Sequence, residues 1–219
     1  VHRKVEAELM DNLENALAFS RADRDIGKLF FVSRFMETFP NFKSGTLIDL
    51  CCGPADYDVE LLSALPDISI TAIDGSDVMI DIAAKNIVPG ITLQKKLIPF
   101  INDSKYDAVI STYSLHHFHD PILLWNNIKS LANGIIFVTD LVRPESLDQA
   151  KIIIEQYSKD DQELFKIDFF NSLCAAFTEE EIKQQLVESG LENLNVEVIT
   201  GRFSTLKTFK IYGEYYGMG

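Results

Sequence analysis

Residues 46–65, TLIDLCCGPADYDVELLSAL, leave a folding chain few options. Residues 46–50 form a short, mostly apolar run suited to a buried strand. The carboxylate of Asp49 stands near its end, where it is costly without a partner. At Cys51, Cys52, Gly53, Pro54 and Ala55 the run breaks into small or turn-forming residues, and Val59, Leu62 and Leu65 return at helical spacing. Strand, tight turn and helix in that order make a cradle. Small side chains let the backbone approach a ligand closely, and the free N–H groups at the helix start supply donors.

The same alternation continues downstream. Residues 69–74 read as a second strand ending in Asp74, which lies 21 residues beyond Gly53. The run DGSDVMIDIAAKN then predicts a helix with Ser76 as N-cap and Met79, Ile82 and Ala83 on one face. A carboxylate at that strand tip can accept two hydrogen bonds from a ribose diol, although Asp-Gly is also ordinary turn chemistry. Residues 91–94 and 106–111 predict a third and a fourth strand, residues 121–132 an amphipathic helix, and residues 134–140 a fifth strand ending in Asp140. Helical patterning over 144–176 interrupts the alternation. Thr178 and Glu181 form a capping box opening a helix that Gly190 closes, and residues 196–199 and 206–212 predict an antiparallel hairpin. Ahead of all this, Leu9, Leu13, Ala16 and Leu17, then Ile26, Phe30, Phe35 and Met36, predict two amphipathic helices within residues 1–45, the second stopped by Pro40.

The succession resembles the class I S-adenosylmethionine (SAM) dependent methyltransferases of the small-molecule, quinone-biosynthesis type. Their first motif is a strand, an acid and G-x-G-x-G, onto which Asp49, Cys51, Gly53 and Ala55 fall. DGSDVM, the Pro99-Phe100 pair, Tyr106-Asp107 and LHHFHDP at residues 115–121 follow in the family's order. The resemblance implies one three-layer, Rossmann-like α/β domain over 1–219, with a seven-stranded, mainly parallel sheet of order 3-2-1-4-5-7-6 and strand 7 antiparallel. It further implies SAM as cofactor, S-adenosylhomocysteine (SAH) as product, and a small-molecule acceptor shaped in part by the 144–176 insertion. The expected cofactor site is Asp49, Cys51, Gly53, Pro54, Ala55, Asp74, Gly75, Ser76, Met79, Gln94 and Ser111. In the resembled family an N-terminal helix pair often closes over the cofactor, which draws Phe19, Ser20, Arg21 and Asp23 in, with Arg21 as a partner for the SAM carboxylate. On the acceptor side stand Tyr113, Arg143, Phe170 and Asn171, with His117 and Asp140 as candidate catalytic groups. Removing Asp74 is expected to weaken cofactor binding and leave folding intact.

Two other readings compete. Gly53 to Asp74 also suits an NAD-dependent oxidoreductase, but Asp56 stands where G-x-G-x-x-G needs its last glycine. The replaced glycines at Cys51 and Ala55 suit a non-catalytic SAM-binding regulator, against which the passage from Tyr113 to Pro121 stands intact. Composition narrows the partners. A net charge of -13 and the absence of a basic run argue against nucleic acid and anionic membrane surfaces. No apolar run is long enough to span a bilayer, and no signal-peptide pattern opens the chain; Val1 in place of Met suggests a trimmed start. Cys51, Cys52 and Cys174 make no C-x-x-C pair, so a reducing, cytoplasmic setting is expected, and a homodimer stays open. The adjacent cysteines read as turn packing rather than nucleophiles. His116, His117 and His119 with Asp120 lack the spacing that converges metal ligands, so no metal is expected, and at most one of the adjacent histidines is expected to face the site.

Overall fold

The computed structural model describes residues 1–7, 9–22, 25–201 and 203–217, with backbone alone at 25 and 26. Its strands are β1 (Ser44–Leu50), β2 (Asp67–Asp74), β3 (Ile91–Lys95), β4 (Tyr106–Thr112), β5 (Ala132–Leu141), β6 (Asn195–Thr200) and β7 (Lys207–Tyr216). They form one seven-stranded sheet in the order β3-β2-β1-β4-β5-β7-β6, as expected. All neighbours run parallel except β7, which is antiparallel to both β5 and β6. The helices are α1 (Leu13–Arg21), α2 (Asp25–Thr38), α3 (Asp56–Ala64), α4 (Asp77–Ala83), α5 (Pro121–Leu131), α6 (Leu147–Tyr157), α7 (Glu163–Ala175) and α8 (Glu179–Ser189). None among the described residues is long and apolar enough to cross a membrane.

Period-two alternation divides the core between two faces. Leu47, Ala108, Ile110, Ile135 and Phe137 pack with Phe31 and Phe35 of α2 and Leu61 of α3. Ile48, Leu50, Val109, Ile136 and Val138 pack with Trp125 of α5 and Leu186 of α8. On the first face Phe31, Phe35 and Phe39 surround Phe137 edge-on. On the second, the Trp125 indole donates to Gln185 Oε1 (2.9 Å) and ties α5 to α8. Gly134, with φ at 154°, lets β5 approach β4, since a Cβ there would meet the Asp107 carbonyl oxygen at 2.4 Å. The capping box at Thr178 and Glu181 makes both of its hydrogen bonds, and Gly190 closes α8 in the left-handed region.

The N-terminal region departs from expectation. The first helix starts at Leu13, where the Asn12 side chain accepts from the Glu14 and Asn15 amides, a stronger local stop than the apolar spacing back to Leu9. Leu9 and Leu13 are exposed while Ala16 and Ala18 are buried. Residues 1–7 instead run as an irregular strap, held by Arg3, whose Nε donates to Ala175 O (2.7 Å) and whose Nη2 donates to His116 O and Phe118 O. The Lys4 amide adds a bond to Cys174 O. Phe30 is exposed beneath the Arg34 guanidinium, and Phe31 takes its place in the core. Asp23 and the side chain of Ile26 lie outside the described residues.

Candidate functional site

The turn after β1 is built as a cradle. Cys51, Gly53 and Ala55 all have positive φ (66°, 54° and 59°), so the three positions of the glycine motif adopt one left-handed geometry whether or not glycine fills them. Among the described residues a Cβ on Gly53 would meet Phe19 Cε1, at 3.9 Å, so α1 lies over the turn through that ring. Pro54 presents its carbonyl to Asn86 Nδ2 (3.1 Å).

Asp74 closes the turn from β2. Its Oδ2 accepts from the Gly53 amide and its Oδ1 from the Ser76 amide, each at 2.9 Å. The carboxylate therefore carries structural bonds of its own, and its removal orphans two amides. Each oxygen keeps a second lone pair for a ligand hydroxyl. Burial raises the Asp74 pKa while the bonds from Ser76 and Gly53 oppose the shift. Ser76 caps α4 by accepting from the Met79 amide (3.2 Å), and its hydroxyl donates to Met10 O (2.9 Å). Gly75 is covered by Leu97 and Leu9. Met79 packs under α1 against Ala16 and Phe19. Gln94 is half-buried in β3, next to Ile73 of β2. Ser111 lies beneath the site: its hydroxyl donates to Leu50 O (2.8 Å) and meets Ser114 Oγ (2.7 Å).

Under the turn sits a buried acid pair. Alternation along β1 points Asp49 toward α3, where Asp58 occupies the same inward stripe as Leu61 and Leu62. Both carboxyls are essentially inaccessible. No donor among the described residues reaches Asp49 Oδ1 or either oxygen of Asp58, which favours a protonated carboxyl in the pair. Burial, then the charge of Asp58, lifts Asp49 well above the carboxylate range. Burial likewise pushes Asp58 up to about 8, against the opposing bond from Asp49. An inward acid at position 58 was readable from the spacing of the buried stripe. Burial pushes up the thiols of Cys51 and Cys52, helped at Cys51 by Asp74 and Asp49 and at Cys52 by Asp58, Asp49 and Asp74, which suits packing and not nucleophilic attack.

The passage beyond β4 carries the candidate catalytic groups His117 and Asp140. Asp140 meets His116, not His117: His116 Nδ1 is 2.6 Å from Asp140 Oδ1, and the His116 amide donates to Asp140 Oδ2 (2.7 Å). Burial opposes charge on His116, but Asp140 and Glu6 outweigh it and raise its pKa. The His117 ring stacks on His116 at 4.4 Å, and its Nδ1 lies 3.1 Å from Ala7 O. Burial and the neighbouring imidazole push His117 down to about 3. Both rings face Glu6 of the strap, so the expectation that adjacent histidines diverge is corrected. Tyr113, at φ 51°, joins Phe170 and Leu141 in one apolar cluster, and burial pushes its phenol up to about 12. Asn171 lies half-buried beside Phe170 on α7. Arg143 binds Glu181 Oε1 (2.8 Å) at the start of α8 and serves that junction. Arg21 is exposed at the end of α1. Asn15 on α1 donates to both Asp168 oxygens on α7 (2.9 Å), which clasps the cover over the strand ends.

Comparison with known proteins adds a family. A family model described as a methyltransferase domain matches residues 5–196. No curated protein sequence matches the chain. Among solved structures, the plantazolicin methyltransferase BpumL in complex with SAH is similar with a TM-score of 0.73 at 16% identity, covering 95% of this chain and 91% of that one. A SAM-dependent methyltransferase from Aquifex aeolicus is similar with a TM-score of 0.65 at 16% identity, covering 91% and 97% of the two chains. At these identities the likeness is one of fold.

Proposed function

Because the chain belongs to the methyltransferase domain family, we propose that it transfers a methyl group from SAM to a small-molecule acceptor placed beside the carboxyl ends of β4 and β5. The observation that carries the reading is the pairing of a left-handed, small-residue turn with two buried carboxyls that lack donors. Such a site is short of positive charge, and SAM supplies its methyl group on a sulfonium cation. The sulfonium favours release of the proton held by the buried Asp49–Asp58 pair, whose charge then compensates it, the Cys51–Ala55 backbone approaches closely, Asp74 accepts from the ribose diol, and Gln94 and Met79 flank the adenine. Ser111, anchored to β1 and Ser114, holds the floor.

Methyl transfer is an in-line displacement whose charge is consumed, so positioning and exclusion of water carry most of the catalysis. The clasp between Asn15 and Asp168 and the cluster of Tyr113 and Phe170 serve that end. A base is needed only for a hydroxyl or a protonated amine. One BpumL structure carries a triazolic desmethylPZN analog together with SAH, which supports donor and acceptor lying side by side in this fold. The chain's net charge of -13 supports a small molecule over nucleic acid, and three free cysteines suit a reducing, cytoplasmic setting.

Calorimetry with SAM, SAH and NAD tests the reading. SAM and SAH should bind and NAD should not. Asp74→Ala should weaken SAM binding about tenfold or more while lowering the unfolding free energy by about 1–3 kcal/mol, the cost of orphaned buried amides. NAD binding without a SAM response would overturn the assignment.

A further inference from the structure

Glu6, His116 and His117 converge from opposite parts of the chain. Glu6 Oε1 lies 3.4 Å from His116 Nε2 and 3.4 Å from His117 Nδ1, and the three atoms lie within 4.8 Å of one another. We propose that these three residues form a binding site for a divalent transition-metal ion, Zn2+ in the first instance.

The spacing carries the argument. A charge-assisted hydrogen bond between imidazolium and carboxylate closes to about 2.7–2.9 Å. Neither contact does so. Ligands about 2.0–2.1 Å from a tetrahedral ion stand about 3.3 Å apart along each edge, which matches both separations. The surroundings are those of a metal ligand set. His116 is held at Nδ1 by Asp140 (2.6 Å), which turns its Nε2 toward Glu6. Ser172 Oγ donates to Glu6 Oε1 (3.0 Å) and fixes the carboxylate. His117 Nδ1–H donates to the Ala7 carbonyl (3.1 Å), so an ion bound at Nδ1 takes the place of that proton and the neutral ring carries its proton on Nε2 instead. Two imidazoles and one carboxylate suit zinc and other first-row divalent ions, and three protein ligands leave a position open. On the methyl-transfer reading that position takes a lone-pair atom of the acceptor; binding of the ion itself is independent of that reading.

Titration of the EDTA-stripped protein with ZnCl2 by calorimetry, and with CoCl2 by visible absorption, tests the site without turnover. One ion per chain should bind and raise the melting temperature, and Co2+ should give the intense visible bands of a tetrahedral site. Glu6→Gln and His117→Ala should each weaken binding at least tenfold, and His2→Ala, at an exposed position, should leave it unchanged. Melting in EDTA confirms that each variant is folded. Absence of Zn2+ and Co2+ binding at millimolar ion, or binding that survives both Glu6→Gln and His117→Ala in folded protein, overturns the proposal, whether or not SAM binds.

Discussion

Ala55 is fully buried and sits at φ 59°, so two opposing terms meet in one methyl group. The left-handed conformation costs a non-glycine residue about 1–2 kcal/mol. Against replacing it stand about 0.8 kcal/mol for the buried methyl and about 0.5–1 kcal/mol for the freedom glycine loses on folding. Ala55→Gly should therefore shift stability by less than about 1 kcal/mol, read as a urea midpoint at unchanged slope. Ala55→Val, β-branched in the same conformation, should lose more than about 2 kcal/mol. A large loss for glycine would mean that the turn does not carry the strain its φ implies. Cys51, at φ 66°, meets the same left-handed cost four residues earlier.

At the scale of elements, β1 and α3 form a unit whose stability depends on pH through the buried pair. Asp58 is pushed up to about 8, far above the value near 3.9 of an unfolded chain. The folded protein thus holds a proton that the unfolded chain releases. That contribution is complete below about pH 4 and is lost as pH rises toward 8, by at most about 1.4 kcal/mol per unit for one proton. Asp56 from the same helix and Asp74 from β2 add like charge around the pair and act in the same direction. Urea unfolding without ligand should show stability falling between about pH 6.5 and pH 8, above the range in which His117, pushed down to about 3, gives the opposite slope. Asp58→Asn should reduce that slope and stabilise the protein at pH 8, and a midpoint that rises with pH would refute the protonated carboxyl. The elements themselves were readable because each repeats a local signal: the apolar run of β1, the Ser76 cap, the Thr178–Glu181 box. What escaped was long-range. Glu6 reaches His116 across 110 residues, so a test of histidine spacing along the chain does not see the third group. Asp140 chooses His116 over His117 through the short turn of residues 115–117, a geometry that two identical adjacent letters do not encode. The strap escaped because Leu9 and Leu13 imitate a helical stripe while Asn12 stops the helix.

Over the whole molecule, the sheet order brings the ends of β1, β2, β4 and β5 to one rim, and the strap, α1 and α7 close over it. Behind that rim lies the second face of the sheet. It is filled by α5 and α8 and centred on Trp125, the single tryptophan of the chain. Its indole is shielded from water and fixed by Gln185, so its emission reports the integrity of a layer that ligand chemistry does not touch. Intrinsic fluorescence should follow unfolding as one cooperative red shift and stay nearly constant when SAH saturates the protein. A strong ligand-induced quench would show that the sheet transmits motion from one face to the other. The molecule thus carries a built-in optical reference, blind to occupancy and sensitive to collapse, against which any added dye at the strap can be read as a ratio.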